Sequence, residues 1–192
     1  MNWLDIVKMA VGAGIVTTLL GQCIEWLREA GADKRKTSRI ARYSAVRIAV
    51  VLEQFAIHCA ELISNRKLYY STGGAAGKVD TKIPALLPYP DDVGWNALEI
   101  SWVARALMLR NEIMMAQQEI DFWYDLDWEA MPDTVDMQSG KCGYLAWRLA
   151  ADLREYYRLP LYHPGETSWD AIGLLEPYYR DALAGKKKAQ SG

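Results

Sequence analysis

Glu53, His58 and Glu61 lie on one helical stretch, and Glu112 and Glu119 lie on another. Carboxylates that face each other across a bundle, joined by histidine, can hold a pair of iron ions. Such a centre requires Glu-x-x-His on two helices and a Glu on each of two more. This chain has two histidines, His58 and His163, and the local order at the first is His-x-x-Glu. The set is incomplete, and His58 reads as a polar residue at the edge of a core seam. A helical enzyme using these Glu and His side chains, with or without a metal, stays open as an alternative.

The stretch TGGAAGK, residues 72–78, has the outline of a phosphate-binding loop. That loop needs a glycine six places before its lysine and a Ser or Thr after it. Here those places hold Thr72 and Val79, and no strand precedes them. A turn is the simpler reading, with anion binding by Lys78 and the loop amides as the other. Cys59 follows His58, but adjacent helical residues point about 100° apart and form no nucleophile–base pair. Cys142, in SGKCGY, stands beside Lys141, which would lower its pKa. No partner base is identifiable for it, so a structural role is expected. His163, in YHPGETSWD, sits in a loop with Glu166 and Asp170 nearby in sequence. No Ser–His–Asp order, zinc spacing or dinucleotide fingerprint occurs. These patterns assign no catalytic, cofactor-binding or metal-ligating residue.

The acidic run EIDFWYDLDWEAMPDTVD, residues 119–136, is the most unusual feature of the polar part of the chain. Aromatics anchor interfaces, and interleaved acids select a basic partner. Trp123, Tyr124, Asp125, Asp127 and Trp128 are therefore the candidate partner-binding set. Docking on the chain's own basic segment 34–47, or plain solvation of an acidic helix end, are the competing readings.

Helices must carry these residues. Ala41, Ala45, Ile48, Leu52, Phe55, Cys59 and Leu62 alternate four and three apart, a heptad seam on a helix over 39–70. Val46, Val50 and Ile57 widen it, which favours an antiparallel bundle over a two-stranded rod. Glycines and prolines break the pattern over 71–92, where Ile83, Leu86, Leu87 and Tyr89 suggest a loop lying down on the bundle. Asp91 or Asp92 can cap the next helix, with Trp95 in its first turn. Its period runs through Leu98, Trp102, Leu109, Ile113, Ala116, Ile120 and Trp123. Ile100, Val103, Leu107 and Met114 cover a further side, so this helix is expected to be the most buried. Pro132 reads as a turn. Cys142, Leu145, Leu149, Leu153 and Tyr156 mark a third helix, and Ser168 can cap a short fourth that Pro177 interrupts.

The other informative segment is the first. From Met9 to Ile24 there is no charged residue, and Trp3 and Trp26 bound the run. A helix separates those two rings by roughly 35 Å, slightly more than the ~30 Å hydrocarbon slab, and Trp at both ends suits a membrane interface. Ala10, Gly14, Thr17 and Gly21 recur at three- and four-residue spacing and form a flat face for a second membrane helix. Seven bases against two acids follow between Arg28 and Arg47. They place the C-terminal part in the cytoplasm and the N-terminus outside, and Lys34, Arg35, Lys36 and Arg39 would touch anionic headgroups. The three cysteines, odd in number and scattered, fit a reducing compartment. A signal peptide would want its bases before the apolar run. The rival reading packs residues 1–27 into the core of a soluble module.

Composition agrees with a folded chain: 192 residues, 51% hydrophobic and 24% charged. Eight acids and no base lie between Glu112 and Asp136, which opposes nucleic-acid binding. The expectation is an all-α chain. It comprises a single transmembrane helix over 1–27, a basic juxtamembrane linker over 28–38, a bundle of three to four antiparallel helices over 39–184, and a disordered basic tail over 185–192. Its expected function is binding, scaffolding or regulation, with self-association through the membrane helix or capture of a basic protein as the candidate partnerships.

Overall fold

The computed structural model describes the backbone of residues 3–126, 131–162 and 170–190, and the side chains of 33–126, 133–162 and 170–184. Four helices follow in order: α1 (Trp3–Ser71), α2 (Ile100–Leu126), α3 (Met131–Tyr156) and α4 (Ala171–Gln190), with a 3-10 turn at Trp95–Ala97. No strand occurs among the described residues. The chain divides into two compact units, residues 1–40 and 41–192.

In the first unit, Lys34, Arg35, Lys36 and Arg39 are exposed on helical backbone. The linker expected over 28–38 is thus helix. Glu29, Ala30, Ala32, Lys34, Arg35 and Lys36 all favour that state, and the lone Gly31 costs only about 1 kcal/mol. The side chains of Trp3, Ala10, Gly14, Thr17, Gly21 and Trp26 lie outside the described residues. Among those described, no helix is long and apolar enough to cross a membrane.

The second unit is a bundle built around α1 residues 41–71. The seven seam residues are all buried, as their spacing predicts. What widens the seam is different from the expectation. Ala49, Ala56 and Ala60 are buried beside it, whereas Val50 is exposed and Val46 and Ile57 are half-buried. Small side chains win this flank because α3 comes close. Gly143 of α3 lies so near Cys59 that a Cβ there would sit 2.7 Å from the cysteine's Cβ. Ser139, Cys142, Ala146 and Ala150 continue α3's small, buried face.

Two ion pairs flank this crossing and show that α1 and α3 run antiparallel. Arg66 Nε donates to Asp136 Oδ1 at 2.7 Å, and Arg154 holds Glu53 with two bonds of 2.5 and 2.8 Å. α2 is antiparallel to α3 through Arg105–Asp152 and Lys141–Glu112. α4 is antiparallel too, with Tyr178 against Gly140 and Leu175 against Gly143.

The connection from α1 to α2 lies down on the bundle, as its apolar residues predict. Ile83 and Tyr89 are buried, as is Val93 beyond them, and Leu86 is half-buried, whereas Leu87 stays exposed. The Ile83 amide donates to Gln117, and the Tyr89 hydroxyl to the Ala106 carbonyl. Asp92 and Gly94 then return to Tyr43 and Ser44 near the start of the bundle, so α2 sets off in the same direction as α1.

Several boundaries differ from the expectation. Asp92 caps no helix, because its carboxylate takes the Tyr43 hydroxyl and Arg47. The chain makes a 3-10 turn at Trp95 instead, and α2 starts at Ile100. α3 begins at Met131, well before Cys142, with Pro132 in its first turn, where a missing N–H does no harm. Tyr156, expected on its core stripe, is exposed, and its hydroxyl donates to Glu99. Asp170 rather than Ser168 is seen capping α4, accepting the Gly173 amide at 2.8 Å, while Ser168 itself lies outside the described residues. Pro177 stands inside α4 without ending it. That helix reaches Gln190, into the stretch expected to be a disordered tail, carried by Ala184, the lysines and Ala189.

The close approach of α1 and α3 makes Gly143→Ala a diagnostic substitution. Gly to Ala inside a helix ordinarily stabilises by about 1 kcal/mol. Here the sign should reverse, with a loss of about 1–3 kcal/mol from overpacking against Cys59, read from the denaturant midpoint. Glu53→Gln, which leaves the buried Arg154 guanidinium facing a neutral amide, should cost about 3–5 kcal/mol in the same assay.

Candidate functional site

The carboxylate–histidine set does not assemble. Glu53 is buried and bound at both oxygens by Arg154, whose remaining Nη1 donates to the Pro160 carbonyl. The Glu53 carboxylate pushes the Arg154 pKa upward, which keeps that guanidinium charged within the packed bundle. His58, Glu61, Glu112 and Glu119 are exposed. No group of three or more His, Cys, Asp or Glu among the described residues converges as a metal site.

The glycine loop is a chain reversal. The amides of Thr72, Gly73, Gly74, Ala75, Ala76 and Lys78 all donate to acceptors within residues 65–72, so they form no open cradle for an anion. Gly77 is required there: its φ is +84°, and a Cβ would fall 2.2 Å from the Asn65 carbonyl oxygen. The cysteines are structural. Burial pushes the Cys142 thiol up to about 12 against the opposite pull of Lys141, so the expected lowering by Lys141 is overturned. Cys59 is raised as well, by burial first and then by Cys142. Lys141 has its own partner in Glu112 at 3.8 Å. His163 and Glu166 lie outside the described residues.

The acidic, aromatic run divides. Trp123 is half-buried, Tyr124 and Asp125 are exposed, and Asp127 and Trp128 lie outside the described residues. Asp136, at its far end, turns inward to Arg66, which is fully buried. Burial pushes the Asp136 carboxyl above its ordinary value, more than Arg66 draws it down. Arg42 and Arg47 do not receive the run: they go to the Arg158 carbonyl and to Asp92.

A surface that sequence reading misses lies on α2. Only Ala106, Leu109, Ala116 and Ile120 of this helix are buried. The expectation is that it is the most buried helix, yet among the described residues it exposes more large apolar side chains than any other helix. Ile100 is 78% exposed and Phe122 59%, with Leu107, Met108, Met114 and Met115 between them also open. Helical spacing places these residues on the side opposite the four buried ones. Asn111 and Gln118 are the polar members of that outward strip, and charge returns to it only near Asp125. Along one margin a groove of about 330 Å³ separates α2 from α4 above α3. Met108, Leu145, Leu149 and Leu183 line it, with Arg105 and Lys141 at its polar edge. Methionine fits such a role, because its flexible, polarisable side chain adapts to a partner's shape. The sequence signal for it is the pair of apolar stripes on α2, whose spacing alone implies burial on both sides.

No protein-family model, curated protein or solved structure matches this chain.

Thiol chemistry checks the reading of the cysteines. In a Cys23→Ser chain, a colourless-to-yellow thiol reagent at pH 8 should find no fast-reacting group, and two should appear after denaturation. A fast thiol in the folded protein would overturn the buried, protonated state of Cys59 and Cys142.

Proposed function

We propose that this chain is a membrane-anchored helical binding protein, held by its first 27 residues and presenting its bundle in the cytoplasm. The observation that carries the binding part is the uncovered apolar face of α2. A large exposed apolar patch, beyond about 300–600 Å², marks an interaction site on most soluble domains, and the exposed Ile100, Leu107, Met108, Met114, Met115 and Phe122 lie together on one face of α2. The groove beside it adds concave apolar surface with charged margins, the form that accepts a helix or an extended apolar side chain.

The anchoring part is supported by the sequence of the first unit. The uncharged run from Met9 to Ile24, at 16 residues shorter than the ~20 that identify a span by themselves, is joined by the flanking Trp3 and Trp26 and by the bases that follow, which together favour a spanning helix with a cytoplasmic C-terminal side. Lys34, Arg35, Lys36 and Arg39 are exposed and make no ion pair among the described residues, which leaves them for anionic headgroups at about 1 kcal/mol each. Small residues at Ala10, Gly14, Thr17 and Gly21 offer a face for helix association within the bilayer. The acidic end of α2, with Tyr124 and Asp125 exposed, supplies a secondary contact for a basic protein. Nothing in this arrangement calls for nucleic acid.

Alkaline carbonate extraction of membranes tests the anchor. The chain should stay in the pellet, and release into the supernatant would overturn the reading. Removing residues 1–27 should leave a cooperatively melting bundle. Aggregation of that remainder would instead favour the packing of residues 1–27 into a core.

A further inference from the structure

We infer that the outer face of α2 is a homodimer interface, in which two copies pair their α2 helices antiparallel about a two-fold axis at Asn111. This rests on the reading of the bundle as a binding domain and names the partner of its main face as a second copy of the chain.

The residue pattern of the face is symmetric about Asn111. Three and four places before it stand Met108 and Leu107, and three and four places after it stand Met114 and Met115. Seven places away on either side are Ala104 and Gln118, both outward-facing. Eleven places away are Ile100 and Phe122. A two-fold interface must be complementary to itself, with residue i meeting j and j meeting i. An antiparallel pair centred on Asn111 brings Met108 beside Met115, Leu107 beside Met114 and Ile100 to Phe122 of the other copy, each apolar against apolar. The two Asn111 amides meet each other at the axis. A single buried Asn of this kind fixes register in paired helices, because any slip leaves it against apolar groups with no hydrogen-bond partner.

Area and charge agree. Ile100, Leu107, Met108, Met114, Met115 and Phe122, at roughly half to three-quarters exposure, present roughly 800 Å² of accessible surface, about what each partner contributes to a standard-size interface. Arg105 and Glu119 lie on one flank of the face, on opposite sides of Asn111. The two-fold axis sets Arg105, which holds Asp152 of its own chain at 2.6 Å, on the same flank and at nearly the same height as Glu119 of the other copy. The charges nearest the axis, Arg110 and Glu112, would meet their own kind. Each has a partner within its own chain: Arg110 donates to the Leu87 carbonyl at 2.8 Å and stacks on Tyr89, and Glu112 pairs with Lys141. A lipid surface fits the face less well, since acids outnumber bases beside its C-terminal half and would be repelled by anionic headgroups.

Disulfide trapping of the full chain tests this. In a Cys23→Ser background, with Cys59 and Cys142 buried, Asn111→Cys should give a covalent homodimer under mild oxidation, because the axis brings the two positions within disulfide reach. Gln118→Cys alone should not, since its two copies would stand about 21 Å apart along the helices. Mixing Ala104→Cys with Gln118→Cys chains should restore the link. Met115→Lys added to Asn111→Cys should lower the yield at least tenfold, with an unchanged circular-dichroism melt confirming that the exposed site leaves the fold intact. The inference is overturned if Asn111→Cys stays monomeric, if Gln118→Cys links to itself equally well, or if Met115→Lys leaves the yield unchanged. A conjugate of Asn111→Cys with a different protein would also overturn it while leaving the binding reading standing. The trapping is read whether or not the chain sediments with membranes, so release by carbonate and failure to cross-link are separate results.

Discussion

The approach of α1 to α3 at Cys59 and Gly143 governs the architecture of the bundle. With no room for a Cβ at Gly143, the two helices meet almost backbone to backbone. Close contact of this kind demands small residues over several turns, and both helices supply them: Ala49, Ala56 and Ala60 on α1, and Ser139, Cys142, Ala146 and Ala150 on α3. Larger side chains are then pushed to the margins, where Leu149 and Leu175 fill the angles between helices. A bundle tightened in this way has a thin centre, and α3 becomes the helix against which the other three are laid.

Buried charge guards the register of that contact. Arg66 and Asp136 lie on one side of the crossing, Glu53 and Arg154 on the other. Sliding α1 along α3 by a single residue would separate both pairs and leave ions buried without partners, at a cost of several kcal/mol for each. The apolar seam alone would tolerate a slip of a full turn far better, since alanines resemble one another. The arginines also tie in the connections at each end: Arg66 takes the Asp80 carbonyl and Arg154 the Pro160 carbonyl. The same bonds that set register thus seat the loops that follow α1 and α3.

The long connection between α1 and α2 explains why α2 has a free face. It returns along the length of the bundle and supplies Ile83, Tyr89 and Val93 to the core, work that another helix would do in a symmetric bundle. α2 is left at an edge, held by α3 on its inner side and by the connection on another. Its outer side, apolar and nearly free of charge, has no covering element among the described residues of the second unit. A bundle stabilised by its α1–α3 centre can carry such a face without losing its fold, and that separation of stability from exposed apolar surface is what a binding protein requires.

Much of this was legible in the order of residues. Spacing found the four helical regions, the buried seam from Ala41 to Leu62 and the loop that lies down, because a 3.6-residue period and a cluster of glycines and prolines are local properties. It also found the uncharged first segment, bounded by Trp3 and Trp26, whose chemistry is set by composition alone. Other features depended on neighbours distant in sequence. Asp92 has the type and place of a helix cap but is drawn to Tyr43 and Arg47. Lys141 stands next to Cys142 but pairs with Glu112, while burial sets the state of the thiol. Glu53 looked like one of several carboxylates until Arg154, far along the chain, took both its oxygens. On α2 the sequence determined that two sides were apolar, and only tertiary packing decided which of them would be covered. Periodicity records what a helix can bury, whereas the number of elements that reach it is fixed by the path of the rest of the chain.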